Sequence, residues 1–181
     1  MSFHSPTIAE IRASTERLSN PDASATVVML GGDVAVKFGQ TVTLLEAENL
    51  RFLSENSKIP VPRVFATMVE PETYSKFIVM EYFDGERLNL IWPSVTGLER
   101  LQVADRLKAV LEDLRNLDPP SYFGSLNRQA FDDGIFWTPE QNPATSGPFE
   151  TEDVLNEGIL KKLAENEPPS HLSLLRKLMD A

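Results

Sequence analysis

The chain has 181 residues, with 17 Lys and Arg against 27 Asp and Glu, a formal net charge of −10. Such an acidic chain repels phosphate backbones, so we expect no nucleic-acid partner. The absence of cysteine excludes disulfides and thiolate metal sites, and two histidines are too few for a histidine metal site.

Hydropathy gives no sign of a membrane protein. No apolar stretch approaches the roughly 20 residues that span a bilayer. The first residues, "MSFHSPTIAEIRAS", lack the apolar core of a signal peptide. We therefore expect no membrane partner and a cytoplasmic location.

The first third of the chain predicts a helix followed by a hairpin. Thr7 and Glu10 have capping-box spacing, which predicts a helix that ends near Asn20-Pro21. Residues 26–30 and 33–38 read as two strands. Gly31-Gly32 between them predicts a two-residue turn, because glycine adopts positive φ at little cost.

A second helix and two more strands follow. The stretch "TLLEAENLRFL" predicts a helix, in which Thr43 and Glu46 again have capping-box spacing. After the Pro60 and Pro62 link we predict a strand at 63–69, and "KFIVMEYF" predicts another. The predicted order is helix, two strands, helix, two strands.

The chain beyond "DGERL" has a helical character. Thr96 and Glu99 predict the cap of a long helix that ends before Asp118-Pro119-Pro120. Its apolar stripe consists of Leu101, Ala104, Leu107, Leu111 and Leu114. Residues 121–149 predict a packed irregular insertion, with Phe136 and Trp137 as core anchors, and helices are predicted at about 151–165 and 170–179.

Lys37 lies inside the apolar strand "VAVKF", where an unpaired ammonium costs free energy. One interpretation is a lysine on an edge strand that faces water. The other is a lysine that binds phosphate groups and is held by a carboxylate of the next helix, Glu46 or Glu48. Glu46 has a second interpretation as the capping-box partner of Thr43, and the two roles are compatible.

Several stretches together resemble the aminoglycoside phosphotransferase family of kinase-like enzymes, in particular its fungal members. The resemblance covers about residues 7–180. It rests on the stretches "VAVKFG", "EAENLRFLSENSKIPVPRVFA", "FIVMEYFDGERL", "DGIFWTP" and "GPF", in that order.

The resemblance implies an α+β fold with a kinase-like small lobe, an antiparallel sheet plus helix, at residues 1–83. A hinge at 84–95 and a partial helical large lobe at 96–181 would follow, with the insertion at 121–149. By resemblance Lys37 matches the ATP-phosphate lysine and Glu46 its ion-pair partner. The adenine contacts would come from Ala35, Met80 and the backbone of Glu81, Tyr82 and Phe83.

The sequence also departs from the family pattern. The family's His-Gly-Asp-x-x-x-x-Asn catalytic loop and its later metal-binding aspartate have no match, since His4 precedes Ser5 and His171 precedes Leu172. We therefore assign no catalytic residue and no metal ligand, although the family implies Mg²⁺. We expect a chain truncated before the catalytic loop, with weak or vestigial ATP binding.

The function implied by the resemblance is ATP-dependent phosphorylation of a small-molecule hydroxyl, and we expect these 181 residues to be catalytically inactive because the catalytic loop and the metal-binding aspartate have no match. Two alternatives stay open. One is a non-catalytic binding or interaction module, with self-association through the leucine stripe of the long helix. The other is a truncated gene product without an independent role.

Overall fold

The computed structural model describes residues 4–138 and 140–179. The chain divides into two compact units, one up to Leu117 and one from Asp118 onward. The predicted hinge at 84–95 lies within the first unit, and the two lobes implied by the resemblance stay a prediction.

The first helix is shorter than the sequence predicts. Helix α1 spans Ile8–Ala13, and the predicted capping box between Thr7 and Glu10 is present. The prediction that it ends near Asn20-Pro21 is wrong, because the Ser14 hydroxyl donates to the carbonyl of Met29 at 2.8 Å. This bond draws the chain away from the helix axis and onto the sheet.

An edge segment, residues 16–18, runs antiparallel to the first strand. Arg17 forms an isolated β-bridge with Val28. The Leu18 N–H donates to the carbonyl of Val27 at 2.8 Å, and Met29 N–H donates to Glu16 at 2.8 Å. These backbone bonds replace those that a longer helix would have made.

Strands β1 (Thr26–Leu30) and β2 (Val34–Gly39) form the predicted hairpin. Leu30 pairs with Val34, so the turn contains three residues and not the predicted two. Gly31 and Gly32 have φ of 63° and 86°, a region where glycine avoids the steric cost of a side chain. Asp33 joins the turn, where its carbonyl accepts the N–H of Tyr82 at 2.9 Å.

The remaining elements of the sheet follow the predicted order. Helix α2 spans Leu45–Asn56, and strands β3 (Val64–Val69) and β4 (Lys76–Glu81) complete an antiparallel sheet of order β1-β2-β4-β3. The structure thus confirms a mixed α+β class with an antiparallel sheet and a helix between its strand pairs. A register shift between Val64 and Ala66 interrupts the pairing of β3 with β4.

Both faces of the sheet are covered, which accounts for the nearly continuous apolar sequence of β2 and β4. One face packs on α1, and its buried core comprises Ile11, Val28, Val36, Phe77 and Val79. The other face packs on α2, and its buried core comprises Val42, Ala47 and Ile78. Alternate residues of each strand therefore enter different cores.

The rest of the first unit is helical. Helix α3 spans Leu88–Ile91, a 3₁₀ turn spans Trp92–Ser94, and helix α4 spans Gly97–Arg115. The predicted capping box of Thr96 and Glu99 is present. None of the residues of α4, all of them described, is buried, and five of its leucines are 44% to 70% exposed: Leu98, Leu101, Leu107, Leu111 and Leu114.

The second unit begins with the predicted irregular segment. It contains a 3₁₀ turn, Leu126–Arg128, and a short helix α5, Pro143–Ser146. Helices α6 (Glu152–Leu163) and α7 (Pro169–Met179) confirm the two predicted C-terminal helices within a few residues at each end.

A single aromatic side chain is central to the second unit. Phe149 is 1% exposed and pairs through its backbone with Phe123, with N–H to O distances of 2.8 and 2.7 Å. The ring centroids of Phe131 and Phe136 lie 6.3 and 6.2 Å from that of Phe149. Phe136 thus packs as predicted, whereas the prediction for Trp137 is wrong, since its side chain is 55% exposed.

Candidate functional site

Lys37 on β2 forms an ion pair with Glu46 on α2. The Lys37 ammonium donates to the Glu46 carboxylate at 2.6 Å, and the two side chains are 29% and 35% exposed. The structure therefore confirms the predicted pairing of strand lysine and helix carboxylate. The interpretation of Lys37 as a lysine on an edge strand that faces water is wrong, because β2 lies between β1 and β4.

The predicted capping box at the start of α2 is absent, because the helix begins one residue too late for Thr43 to be its N-cap. The N-cap residue is Leu44, whose side chain makes no capping bond. The Thr43 hydroxyl accepts the N–H of Leu45 at 3.3 Å instead. Of the two interpretations of Glu46, the structure shows only the ion pair.

Side chains of β2 alternate between the two faces of the sheet, and this alternation places Lys37 on the face that packs on α2. Val36 enters the core beneath α1, so its neighbour Lys37 lies on the opposite face of the sheet. Lys37 pairs across β4 with Ile78, which is fully buried in the core beneath α2. An ammonium beside that apolar core needs a nearby anion, and the first turn of α2 supplies it.

Ala35 and Met80 lie on the same face as Lys37. They are directly opposite each other in the β2–β4 register, and Ala35 is 6% exposed. The structure thus brings together four of the predicted site residues. We call the surface formed by Ala35, Lys37, Met80 and Glu46 the lysine face.

The backbone after β4 is only partly available to a ligand. The N–H of Glu81 donates to Arg63 and that of Tyr82 donates to Asp33, both at 2.9 Å. Among the residues that the structure describes, the N–H of Phe83 has no acceptor. Of the three predicted adenine contacts of the backbone, Phe83 is the one with a free donor.

A cavity of about 630 Å³ adjoins this segment in the first unit. We call it the arginine cavity. It is lined by Arg17, Leu18, Tyr82, Phe83, Gly85, Glu86, Arg87, Leu90 and Ile91. Two of the predicted site residues, Tyr82 and Phe83, belong to it.

The sequence did not indicate that Arg17 or Arg87 would line a cavity. Arg17 falls in the segment predicted as helix, and Arg87 follows the predicted strand in a polar stretch with no periodicity. In the structure the Arg87 guanidinium donates to the carbonyl of Leu18 at 3.3 Å. This contact connects the edge segment with the chain after β4, and only the three-dimensional fold reveals it.

The residues that the structure describes form no cluster suited to magnesium. Within residues 4–138 and 140–179, no group of three or more His, Asp or Glu side chains is arranged to hold a metal ion. In the same residues no helix is long and apolar enough to cross a membrane.

Comparison with known proteins identifies no family for this chain. No family model matches it, and no curated protein matches it.

Proposed function

We propose that the lysine face binds the phosphate groups of an adenine nucleotide, as in the kinase-like aminoglycoside phosphotransferases that the sequence resembles. The observation that carries the proposal is the 2.6 Å ion pair between Lys37 and Glu46. In kinases an equivalent pair of strand lysine and helix glutamate holds the lysine against the nucleotide phosphates.

The ammonium of Lys37 retains capacity for a ligand. It has three N–H donors, one of which is directed to Glu46, so two remain for phosphate oxygens. Glu46 limits the conformations of the long lysine side chain before the ligand arrives, which lowers the entropic cost of binding. The side chain is 29% exposed, so a ligand reaches it from solvent.

The adenine base would lie against the apolar part of the same surface. Ala35 and Met80 form a small apolar wall beside Lys37, and a planar base packs on such a wall. The free N–H of Phe83 is a donor suited to a ring nitrogen of the base. One apolar wall, one donor and one cation are a minimal set for a nucleotide.

The reaction class of such a lobe is transfer of the terminal phosphoryl group of ATP to the hydroxyl of a small molecule. Transfer needs a group that accepts the hydroxyl proton. The 181 residues contain no His-Gly-Asp motif that would supply it in this family. We therefore propose nucleotide binding, and not phosphoryl transfer, as the activity of residues 1–181 by themselves.

Calorimetric titration of the chain with ATP and with adenosine tests this proposal. Replacing Lys37 with methionine should weaken ATP binding by about tenfold or more, since hydrogen bonds to charged groups are lost. Adenosine binding should change much less. Lys58→Met, an exposed lysine just after α2, is the matched control for the change in net charge.

Equal loss of ATP binding in Lys37→Met and Lys58→Met would contradict a specific role for Lys37. Absence of ATP and adenosine binding at millimolar concentration in the folded wild-type chain would overturn the proposal as a whole. Turnover by residues 1–181, measured as ADP release with a panel of small alcohols, would refute the assignment of binding without transfer.

A further inference from the structure

Arg17 and Arg87 give the arginine cavity two cationic side chains. Among the described residues, neither Arg17 nor Arg87 forms an ion pair. In the part of the chain that the structure describes, the Arg17 guanidinium donates hydrogen bonds only to the Ser19 hydroxyl and the carbonyls of Asn20 and Pro21, at 3.2 to 3.3 Å. The chain has a net charge of −10, yet this cavity carries two arginines that form no ion pair with a described carboxylate.

Both guanidiniums keep donors for a ligand. A guanidinium has five N–H donors in a planar fork. Arg87 uses one nitrogen, at 3.3 Å from the carbonyl of Leu18, and its other donors remain. Neutral carbonyls position the side chains without cancelling their charge.

The walls of the cavity are aromatic and aliphatic. Phe83 is 53% exposed and Leu90 is 67% exposed, although both are large apolar side chains. Tyr82, Leu18 and Ile91 add apolar surface to the same cavity. Its volume of about 630 Å³ falls within the range of small-molecule sites.

We propose that the arginine cavity binds a small aromatic monocarboxylate. The carboxylate would accept two parallel hydrogen bonds from the guanidinium fork of Arg87. It would accept a further bond from Nη1 of Arg17, since the Nε and Nη2 of that residue are already bonded. The ring would pack on Phe83 and Leu90 and remove their apolar surface from water.

Glu86 limits the charge of the ligand. Glu86 lines the cavity together with the two arginines, and its charge is opposite to theirs. The three side chains together therefore carry one net positive charge. One carboxylate on the ligand neutralises that charge, whereas a dianion would leave an excess negative charge near Glu86. This balance favours a monocarboxylate over a phosphate.

Benzoate is the probe, titrated into the full ¹⁵N-labelled chain and followed by amide resonances. We expect saturable shifts at Gly85, Arg87 and Leu90. Acetate lacks the ring, benzyl alcohol lacks the charge, and phenyl phosphate carries the additional charge, so each should bind more weakly than benzoate.

Arg87→Gln should weaken benzoate binding about tenfold, since it removes hydrogen bonds to a charged group. The affinity of Arg87→Lys for benzoate should lie between those of the wild type and Arg87→Gln, because lysine retains the charge and lacks the planar fork. Arg115→Gln at the end of α4 is the control for net charge. Amide spectra in the absence of benzoate show whether each variant is folded.

The proposal is independent of the proposed nucleotide binding, although Phe83 belongs to both sites. Lys37→Met should weaken ATP and leave benzoate binding unchanged. Equal binding of acetate would overturn the role of the ring, and equal binding of benzyl alcohol would overturn the role of the arginines. Tighter binding of phenyl phosphate would overturn the monocarboxylate, and absence of any saturable shift would overturn the site.

Discussion

The two units of the chain build their cores in different ways. In the first unit the sheet buries residues on both faces, and Ile11, Val36, Phe77 and Ile78 are each 0% exposed. In the second unit the packing centres on Phe149, at 1% exposed. Regular strands bury many side chains at once, so each one contributes only part of the stability of the core. An irregular segment concentrates its stability in a few contacts.

The largest expected effect is that of Phe149→Ala. Removing a buried aromatic ring costs about 3–5 kcal/mol, through lost transfer free energy and the cavity that remains. We expect this change to unfold the second unit or nearly so, since small units have little stability in reserve. In a Trp92→Phe background, urea unfolding followed by Trp137 fluorescence reports on the second unit.

The same variant should leave the first unit close to its original stability. Trp92 belongs to the first unit, so its fluorescence in a Trp137→Phe background reports on the unfolding of that unit. A loss below about 1 kcal/mol in the second unit would show that its core does not depend on this ring.

Gly158→Ala tests the same packing by adding an atom. A Cβ at Gly158 would lie 2.7 and 2.8 Å from carbons of the Phe149 ring and 3.2 Å from the carbonyl oxygen of Ala144. Such overpacking costs about 1–3 kcal/mol. Gly134→Ala is the matched control, because its Cβ would meet no atom within 4 Å. If the two variants unfold at the same urea concentration, the proposed tight contact is wrong.

Ile78→Val examines the first unit in the same terms. Ile78 is fully buried beneath α2, and loss of one methylene there should cost about 0.5–1.5 kcal/mol. The urea midpoint read by Trp92 should fall modestly, with the slope of the transition unchanged. A loss above about 3 kcal/mol would show that the sheet, too, depends on a single position.

The ion pair of the lysine face should contribute little to stability. Both side chains are about a third exposed, so solvent screens the attraction, and we expect a coupling of at most about 1 kcal/mol. A double-mutant cycle of Lys37→Met and Glu46→Gln measures it by urea unfolding, and added salt should reduce it. A coupling of about 3–5 kcal/mol would instead indicate a pair that behaves as buried.

The smallest effect concerns acid stability of the second unit. A hydrogen bond and the charge of Arg176 hold the pKa of Glu157 below its ordinary value. The folded pKa is lower than the unfolded one, so the stabilisation is present above about pH 4.3 and is lost as the pH falls through the folded value. Arg176→Gln should therefore reduce the pH dependence of the unfolding midpoint below pH 5. If the unfolding midpoint of Arg176→Gln depends on pH below pH 5 as that of the wild type does, this pair does not contribute to acid stability.

Much of the sheet could be predicted because its signals are local. Apolar runs bounded by glycine and proline predicted every strand within a few residues, and the buried-strand lysine predicted an anionic partner on α2. The end of α1 could not be predicted, since Ser14 and Arg17 are directed by bonds to β1, which is distant in sequence. Tertiary pairing there overrides the helical pattern.

The candidate site, like the sheet, could be predicted only in part. Lys37 and Glu46 belong to a pattern with a chemical reason, so the sequence indicated both. The two arginines of the cavity come from segments without periodicity, and their convergence depends on how residues after β4 meet the edge segment. Trp137 shows the converse, since an aromatic residue in an irregular segment need not be buried.

The edge segment has a consequence for how the chain behaves in solution. Strand β1 is the last named strand on its side of the sheet, and residues 16–18 occupy hydrogen-bonding groups on its outer side. Removing those residues would present a row of unpaired backbone donors and acceptors, the feature through which sheets join edge to edge and aggregate. A region that contributes a short helix and a few loop residues thus also covers the β1 edge of the sheet against edge-to-edge association.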